Sequence, residues 1–101
     1  MVNPTVKIII DVEARRQLKK AYNFIKRDSL KNAEKVKAKI LTSIKALIKN
    51  PQQHAPDKYR FDNDTAYRAF EVYKYRITYY VSTTEIRVIR IRHTKMNPII
   101  Y

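Results

Sequence analysis

Two hydrophobic periods divide this chain. Residues 6–10 form a short β-branched run between Pro4 and Asp11, which predicts a first strand. After Asp11 the spacing becomes helical. Leu18, Ala21, Tyr22 and Ile25 make one apolar stripe, while Arg15, Arg16, Lys19, Lys20, Lys26 and Arg27 occupy the other face. Asp11 is placed to cap this helix, with Glu13 near its positive end. Asp28 and Ser29 interrupt the pattern, and Ser29 is a suitable cap for a second helix. There Ala33, Val36, Ile40, Ile44, Leu47 and Ile48 form the second stripe. Glu34 comes early, Lys45 and Lys49 come late, and Asn50 and Pro51 stop the helix. So short a join predicts an antiparallel helical hairpin.

Residues 52–64 are polar and aperiodic, with Pro56 in the middle, and read as a connecting loop. Beyond them the period drops to two. Strands are expected near 66–73, 74–82 and 85–94, with Ser82, Thr83 and Thr84 as the one clear tight turn. Tyr75, Ile77, Tyr79 and Val81 share one face of the middle strand; Arg76, Thr78 and Tyr80 share the other. In the last strand Ile89, Ile91 and His93 alternate with Arg90 and Arg92. Ile86 and Val88 are out of phase with Ile89 and Ile91, which predicts a bulge or a central strand apolar on parts of both faces. Phe70 and Val72 look core-facing, and Arg68 then falls on their side, a placement that pattern alone leaves open. The expected fold is α+β: an N-terminal strand and an antiparallel helical hairpin on one face of a small, mainly antiparallel four-stranded sheet. Residues 1–101 form one domain. The helices cover the Ile77–Ile91 face, leaving Arg76, Tyr80, Arg90 and Arg92 on an open one.

Composition sharpens this picture. The net charge is +13 over 101 residues. So positive a chain gains by meeting an anion, whether nucleic acid, anionic lipid or acidic protein. The helical lysines can equally serve as solvating charge; guanidinium groups on a strand face are harder to explain that way. There is no cysteine, which removes disulfides, thiolate metal sites and a cysteine nucleophile. There is no glycine, which removes the P-loop and the dinucleotide fingerprint. His54 and His93 are too few for a histidine-rich zinc site. No cofactor and no metal are expected. No signal-type segment or membrane-length apolar run occurs, so a cytoplasmic protein without membrane contact is expected.

Tyr75-Arg76-Ile77, then Tyr79-Tyr80, then Ile89-Arg90-Ile91-Arg92-His93-Thr94, then Asn97-Pro98 resemble the strand motifs of the RelE/ParE superfamily of bacterial toxins. The order strand, helical hairpin, three strands matches over nearly the whole chain. The ending that contains His93 is nearer the ParE, or plasmid-stabilisation, branch. The resemblance implies a toxin of a type II toxin–antitoxin system, neutralised by an acidic antitoxin that folds on contact. It also implies a target: DNA gyrase for ParE-like members, or ribosome-bound messenger RNA for RelE-like endoribonucleases.

Metal-independent RNA cleavage needs a general acid, a general base and cations around the phosphorane. His93 and Glu71 are candidates for the proton transfers, and Arg68 for the phosphate, as in a YoeB-like arrangement. Arg76, Tyr80, Arg90, Arg92, Lys95 and Tyr101 are candidates for binding an anionic target. The duller roles are a structural histidine at a strand end, a cross-strand Glu71–arginine pair, and tyrosines that pack the sheet. The RelE nucleases resemble one another in an arginine before the Tyr-Arg strand and another after the last strand. This chain has Glu71 near the first position and Thr94-Lys95 at the second. Those departures favour the non-catalytic branch. A plain nucleic-acid-binding domain is the third alternative. The tail 96–101 is apolar, and is expected to dock on the core or to present a contact surface.

Overall fold

The computed structural model describes residues 6–63, 66–96 and 101. Strand β1 (Lys7–Ile10) leads into helix α1 (Val12–Lys26). Helix α2 (Leu30–Lys45) follows and tightens into a 3-10 turn over Ala46–Ile48. After a loop come β2 (Tyr67–Val72), β3 (Tyr75–Val81) and β4 (Glu85–His93). The sheet order is β1-β4-β3-β2. The hairpin of helices carries the chain back across the sheet, so β1 lies parallel to β4, while β2–β3 and β3–β4 are antiparallel. This is the α+β fold expected from the two periods.

Both apolar stripes face the same side of the sheet. Ala14 and Ala21 of α1, and Ile40 and Ile44 of α2 with Leu47, pack on Phe70, Val72, Tyr75, Ile77, Tyr79, Ile86, Val88 and Ile91. Burying an Ile or Leu side chain of this kind contributes roughly 1.5–3 kcal/mol. The expected bulge is present: Thr78 pairs with Arg90 and Tyr79 with Val88, so Ile89 is the extra residue. One inserted residue lets Ile86 and Val88 share a face with Ile91, and all three are buried.

Polar groups close the gaps in this layer. β1 reaches only to Val88 of β4. Beyond that point the Ile91 amide donates to Gln17 Oε1 of α1 at 2.7 Å. The buried Tyr79 hydroxyl donates to the Pro51 carbonyl at 2.7 Å. Burial and the loss of solvent push that phenol up to about 12. Ser29 caps α2 as expected, its oxygen accepting the Asn32 amide at 3.1 Å. Asp11 stands at the N-cap of α1 without a side-chain capping bond. Its carboxylate is taken instead by Arg87 of β4, so it ties helix entry to the sheet rather than capping the helix.

The turn between β2 and β3 was not separated from the strands by pattern. It is a two-residue connection at Tyr73 and Lys74, with Tyr73 at φ 53°. A residue with a Cβ pays roughly 1–2 kcal/mol for that conformation, and Asn adopts it more readily. Tyr73 is largely exposed, and among the described residues the cation over its ring is the Lys35 ammonium, at 5.7 Å. Tyr73→Asn is therefore expected to stabilise the fold by about 0.5–1 kcal/mol. Urea unfolding measures this, and an unchanged or lower midpoint would show that the ring contributes more than the backbone loses.

Candidate functional site on the open sheet face

The face of the sheet away from the helices carries Tyr67, Ala69 and Glu71 from β2, Arg76, Thr78 and Tyr80 from β3, and Arg90 and Arg92 from β4. Their registers are Tyr67↔Tyr80, Glu71↔Arg76, Arg76↔Arg92 and Thr78↔Arg90. Four of the expected anion-binding residues, Arg76, Tyr80, Arg90 and Arg92, thus share one side. That side is not bare, as the strand pattern had led us to expect. The loop before β2 runs along the outer edge of β2, where the Asp57 amide donates to the Tyr67 carbonyl at 2.8 Å and Pro56 bridges to Arg68. It then folds Asp57, Tyr59 and Arg60 over the strand arginines.

The Asp57 carboxylate is the centre of this cover. Its side chain is 1% exposed. Arg76 Nη2 donates to Oδ1 at 2.7 Å, the Tyr59 amide donates to the same oxygen at 3.2 Å, and the Tyr101 hydroxyl donates to Oδ2. Burial alone would raise this carboxyl. The hydroxyl of Tyr101, the guanidinium of Arg76 and the Tyr59 amide outweigh it and hold the group below the usual carboxylate range. Burial, then the adjacent carboxylate, push the Tyr101 phenol in the opposite direction, so it remains a donor.

Aromatic rings and guanidinium planes fill the remainder. The Arg76 guanidinium lies 4.9 Å from the Tyr59 ring centre. The Tyr101 ring is flanked by Arg60 at 5.1 Å and Arg90 at 4.5 Å, and Arg60 also lies 4.2 Å over Tyr67. Tyr67 in turn meets Tyr80 at 4.9 Å. Stacking of this type contributes on the order of 0.5–2 kcal/mol per pair and suits the planar, weakly hydrated guanidinium. A hollow of about 70 Å³ remains, lined in part by Asp57, Glu71, Arg76, Arg90, Arg92 and His93. Glu71 stands at its edge, 3.7 Å from Arg76 Nη1.

The three residues considered for RNA cleavage do not form one cluster. Arg68 lies on the opposite side of β2 from Glu71, and its Nη1 donates to the His54 carbonyl at 2.7 Å. This settles the open question of its sheet side: it faces the way Phe70 and Val72 do. His93 closes β4 at the end of the sheet, its ring edge-on to Tyr75 at 5.1 Å and its Nδ1 accepting the Lys95 amide at 3.0 Å. Lys95 itself is exposed in the turn that follows. Residues 97–100, which include the Asn97-Pro98 motif, lie outside the described residues. Tyr101 packs on the open face, not on the core between sheet and helices.

Comparison with known proteins fits this architecture. A family model described as the ParE toxin of the type II toxin–antitoxin system parDE matches residues 8–98. The chain belongs to the ParE toxin family. It is a type II toxin of the RelE/ParE fold, nearer the ParE branch, as the strand motifs implied. Among solved structures, this ParE-family toxin is similar to a chain of the chromosomal ParDE system of P. aeruginosa, with TM-score 0.71, 18% identity, and coverage of 90% of this chain and 98% of that one. It is also similar to a chain of the YoeB dimer of Staphylococcus aureus, with TM-score 0.57, 16% identity, and coverage of 88% and 97% respectively. At those identities the likeness concerns the fold. No curated protein matches the sequence. Among the described residues no helix is long and apolar enough to cross a membrane, and no group of three or more His, Asp or Glu gathers in one place.

The geometry around Asp57 makes a pH prediction. A carboxyl held low in the folded state contributes stability above its unfolded value near 4, and this is lost as pH falls through the folded value. Asp57→Asn leaves the half-buried Arg76 charge with only the exposed Glu71 carboxylate, 3.7 Å away, and is expected to cost about 1.5–3 kcal/mol at neutral pH. The variant should also lose less stability than the parent on going from about pH 5 to pH 2. Chemical denaturation across that interval measures both effects. Parallel pH profiles would show that Asp57 is not the group responsible.

Proposed function

We propose that this ParE-family toxin poisons bacterial DNA gyrase in the cytoplasm by binding it, and that an acidic antitoxin neutralises the toxin. The observation that carries this reading is the state of the open face. The guanidinium groups of Arg76 and Arg90 are engaged by the chain's own Asp57 and by tyrosine rings, and Arg68 and Glu71 lie on opposite sides of β2. A binding surface needs no acid–base pair, whereas cleavage of RNA needs one aligned on a phosphate. The antitoxin reading is supported by a groove of about 340 Å³ between α1 and the end of β4. Phe24 and Met96 are exposed along it, and Arg16, Lys20 and Arg92 are among its lining residues. An apolar floor beside cationic groups suits an acidic amphipathic segment.

One observation favours a second reading. Glu71, Arg76, Arg92 and His93 line the same small hollow, a set able to bind and protonate a phosphate ester. Induction of the chain in a bacterium separates the two. Gyrase poisoning predicts growth arrest with double-strand breaks and intact messages, and His93→Ala should arrest growth as the parent does. Cleaved messages, with relief of arrest by His93→Ala at equal protein level, would transfer the case to the nuclease. Expression of an acidic partner should restore growth in either case.

A further inference from the structure

The cations of this toxin fall into two populations. On the sheet side four arginines are engaged internally: Arg76 on Asp57, Arg87 on Asp11 and Glu85, Arg60 and Arg90 on Tyr101. The helical hairpin is different. Nine of the thirteen net positive charges lie on residues 12–50, where twelve lysines and arginines face three carboxylates. Two of those carboxylates are already occupied, Glu13 by Arg16 and Glu34 by the Tyr22 hydroxyl at 2.6 Å.

The densest part of this charge is a ridge on α2. Lys31, Lys35, Lys39 and Lys45 are exposed, and none forms an ion pair among the described residues. At about 100° per residue they fall on the side of the helix opposite Ile40 and Ile44, over a length of roughly 21 Å. The exposed residues within that sector of the helix, Ala38 and Thr42, are small, and the Glu34 carboxylate at its flank is taken by the Tyr22 hydroxyl. Holding four like charges in a row on one helix is unfavourable without a counter-charge.

We infer that the outer ridge of α2 docks on the phosphate backbone of duplex nucleic acid, a contact separate from the open sheet face and independent of the gyrase reading. The residue types choose among the anions. Lysine is depleted from the cores of protein–protein interfaces, where aromatic side chains and arginine concentrate, and this ridge has only lysines and small residues. Binding of a single strand uses a series of aromatic platforms for bases; no aromatic residue lies on the ridge itself, and beside it stands one exposed ring, that of Tyr73, under Lys35. A membrane surface helix needs a row of apolar side chains beside its cations; of the large apolar residues of α2 only Leu30 of the first turn is exposed, while Ile40 and Ile44 are buried and Val36 and Leu41 half-buried. Point charges on flexible stems, with room for close approach, fit a duplex backbone, which presents one charge per ~1.7 Å and is contacted without sequence preference.

The test uses the full chain and a labelled mixed-sequence duplex of roughly 20 base pairs, titrated from about 50 to 200 mM salt. Lys31→Gln, Lys35→Gln and Lys39→Gln together should weaken binding at low salt at least ~10-fold and flatten the log–log salt slope by about 2–3. The same three changes to arginine should keep the slope. Lys7→Gln, Lys58→Gln and Lys74→Gln remove equal charge from exposed positions of the sheet half and should leave the slope unchanged. Circular dichroism confirms that each variant is folded. Equal losses in both glutamine triples would reduce the effect to net charge and overturn the proposal. So would tighter binding of a single strand of equal length. Displacement of the duplex by polyglutamate at matched charge concentration would assign the ridge to an acidic protein instead.

Discussion

One buried carboxylate organises the side of the sheet that the helices leave uncovered. Asp57 is the anion around which Arg76, the Tyr59 amide and the Tyr101 hydroxyl gather. Without an internal acceptor, the strand arginines would repel one another across registers such as Arg76↔Arg92. With one, a loop and a distant tyrosine can lie on a cationic sheet. The same contact sets the path of the loop along β2, because the Asp57 backbone is bonded to that strand while its side chain turns inward. Edge protection by residues 55–57 and charge compensation thus meet at Asp57.

This arrangement changes what a charge of +13 means. Averaged over the surface it suggests a uniformly sticky protein. Sorted by element, it separates into strand arginines fixed by stacking and ion pairs and helical lysines exposed without ion pairs among the described residues. The choice of residue follows the task. A guanidinium can be half-buried against rings because its plane is weakly hydrated, whereas an ammonium group retains its water and remains outside.

Much of the fold was legible because periodicity is a direct consequence of burial. The helical stripes of Leu18–Ile25 and Ala33–Leu47, and the alternation from Tyr75 to Val81, each report which face meets the core; Ile48, which the spacing also placed in the second stripe, is exposed because the helix tightens into a 3-10 turn there. Even the β4 irregularity was visible, since Ile86 and Val88 could not share a face with Ile91 in a regular strand. The cover over the open face was not legible. Asp57, Tyr59 and Arg60 lie in an aperiodic loop, and no spacing rule places a loop residue over a particular strand. A surplus of arginines on one face does imply an acidic partner, but the loop offers Asp57, Asp62 and Asp64, and nothing in the spacing selects Asp57 among them. Asp11 misled for a related reason: its type suited a cap, but Arg87, remote in sequence, offered a charge. The side of Arg68 was hidden because its partner is a backbone carbonyl at His54.

The single extra residue in β4 constrains how this family member can vary. Ile89 is the hinge of phase between two halves of a strand that both feed the core. Exchanging it for another side chain leaves the alternation intact on either side. Deleting it would rotate either the Ile86–Val88 half or the Ile91–His93 half by one face, exchanging isoleucines for arginines at the interface with α1. Drift by point substitution is open to this strand, while a change of length at this point would have to be matched by a compensating insertion nearby.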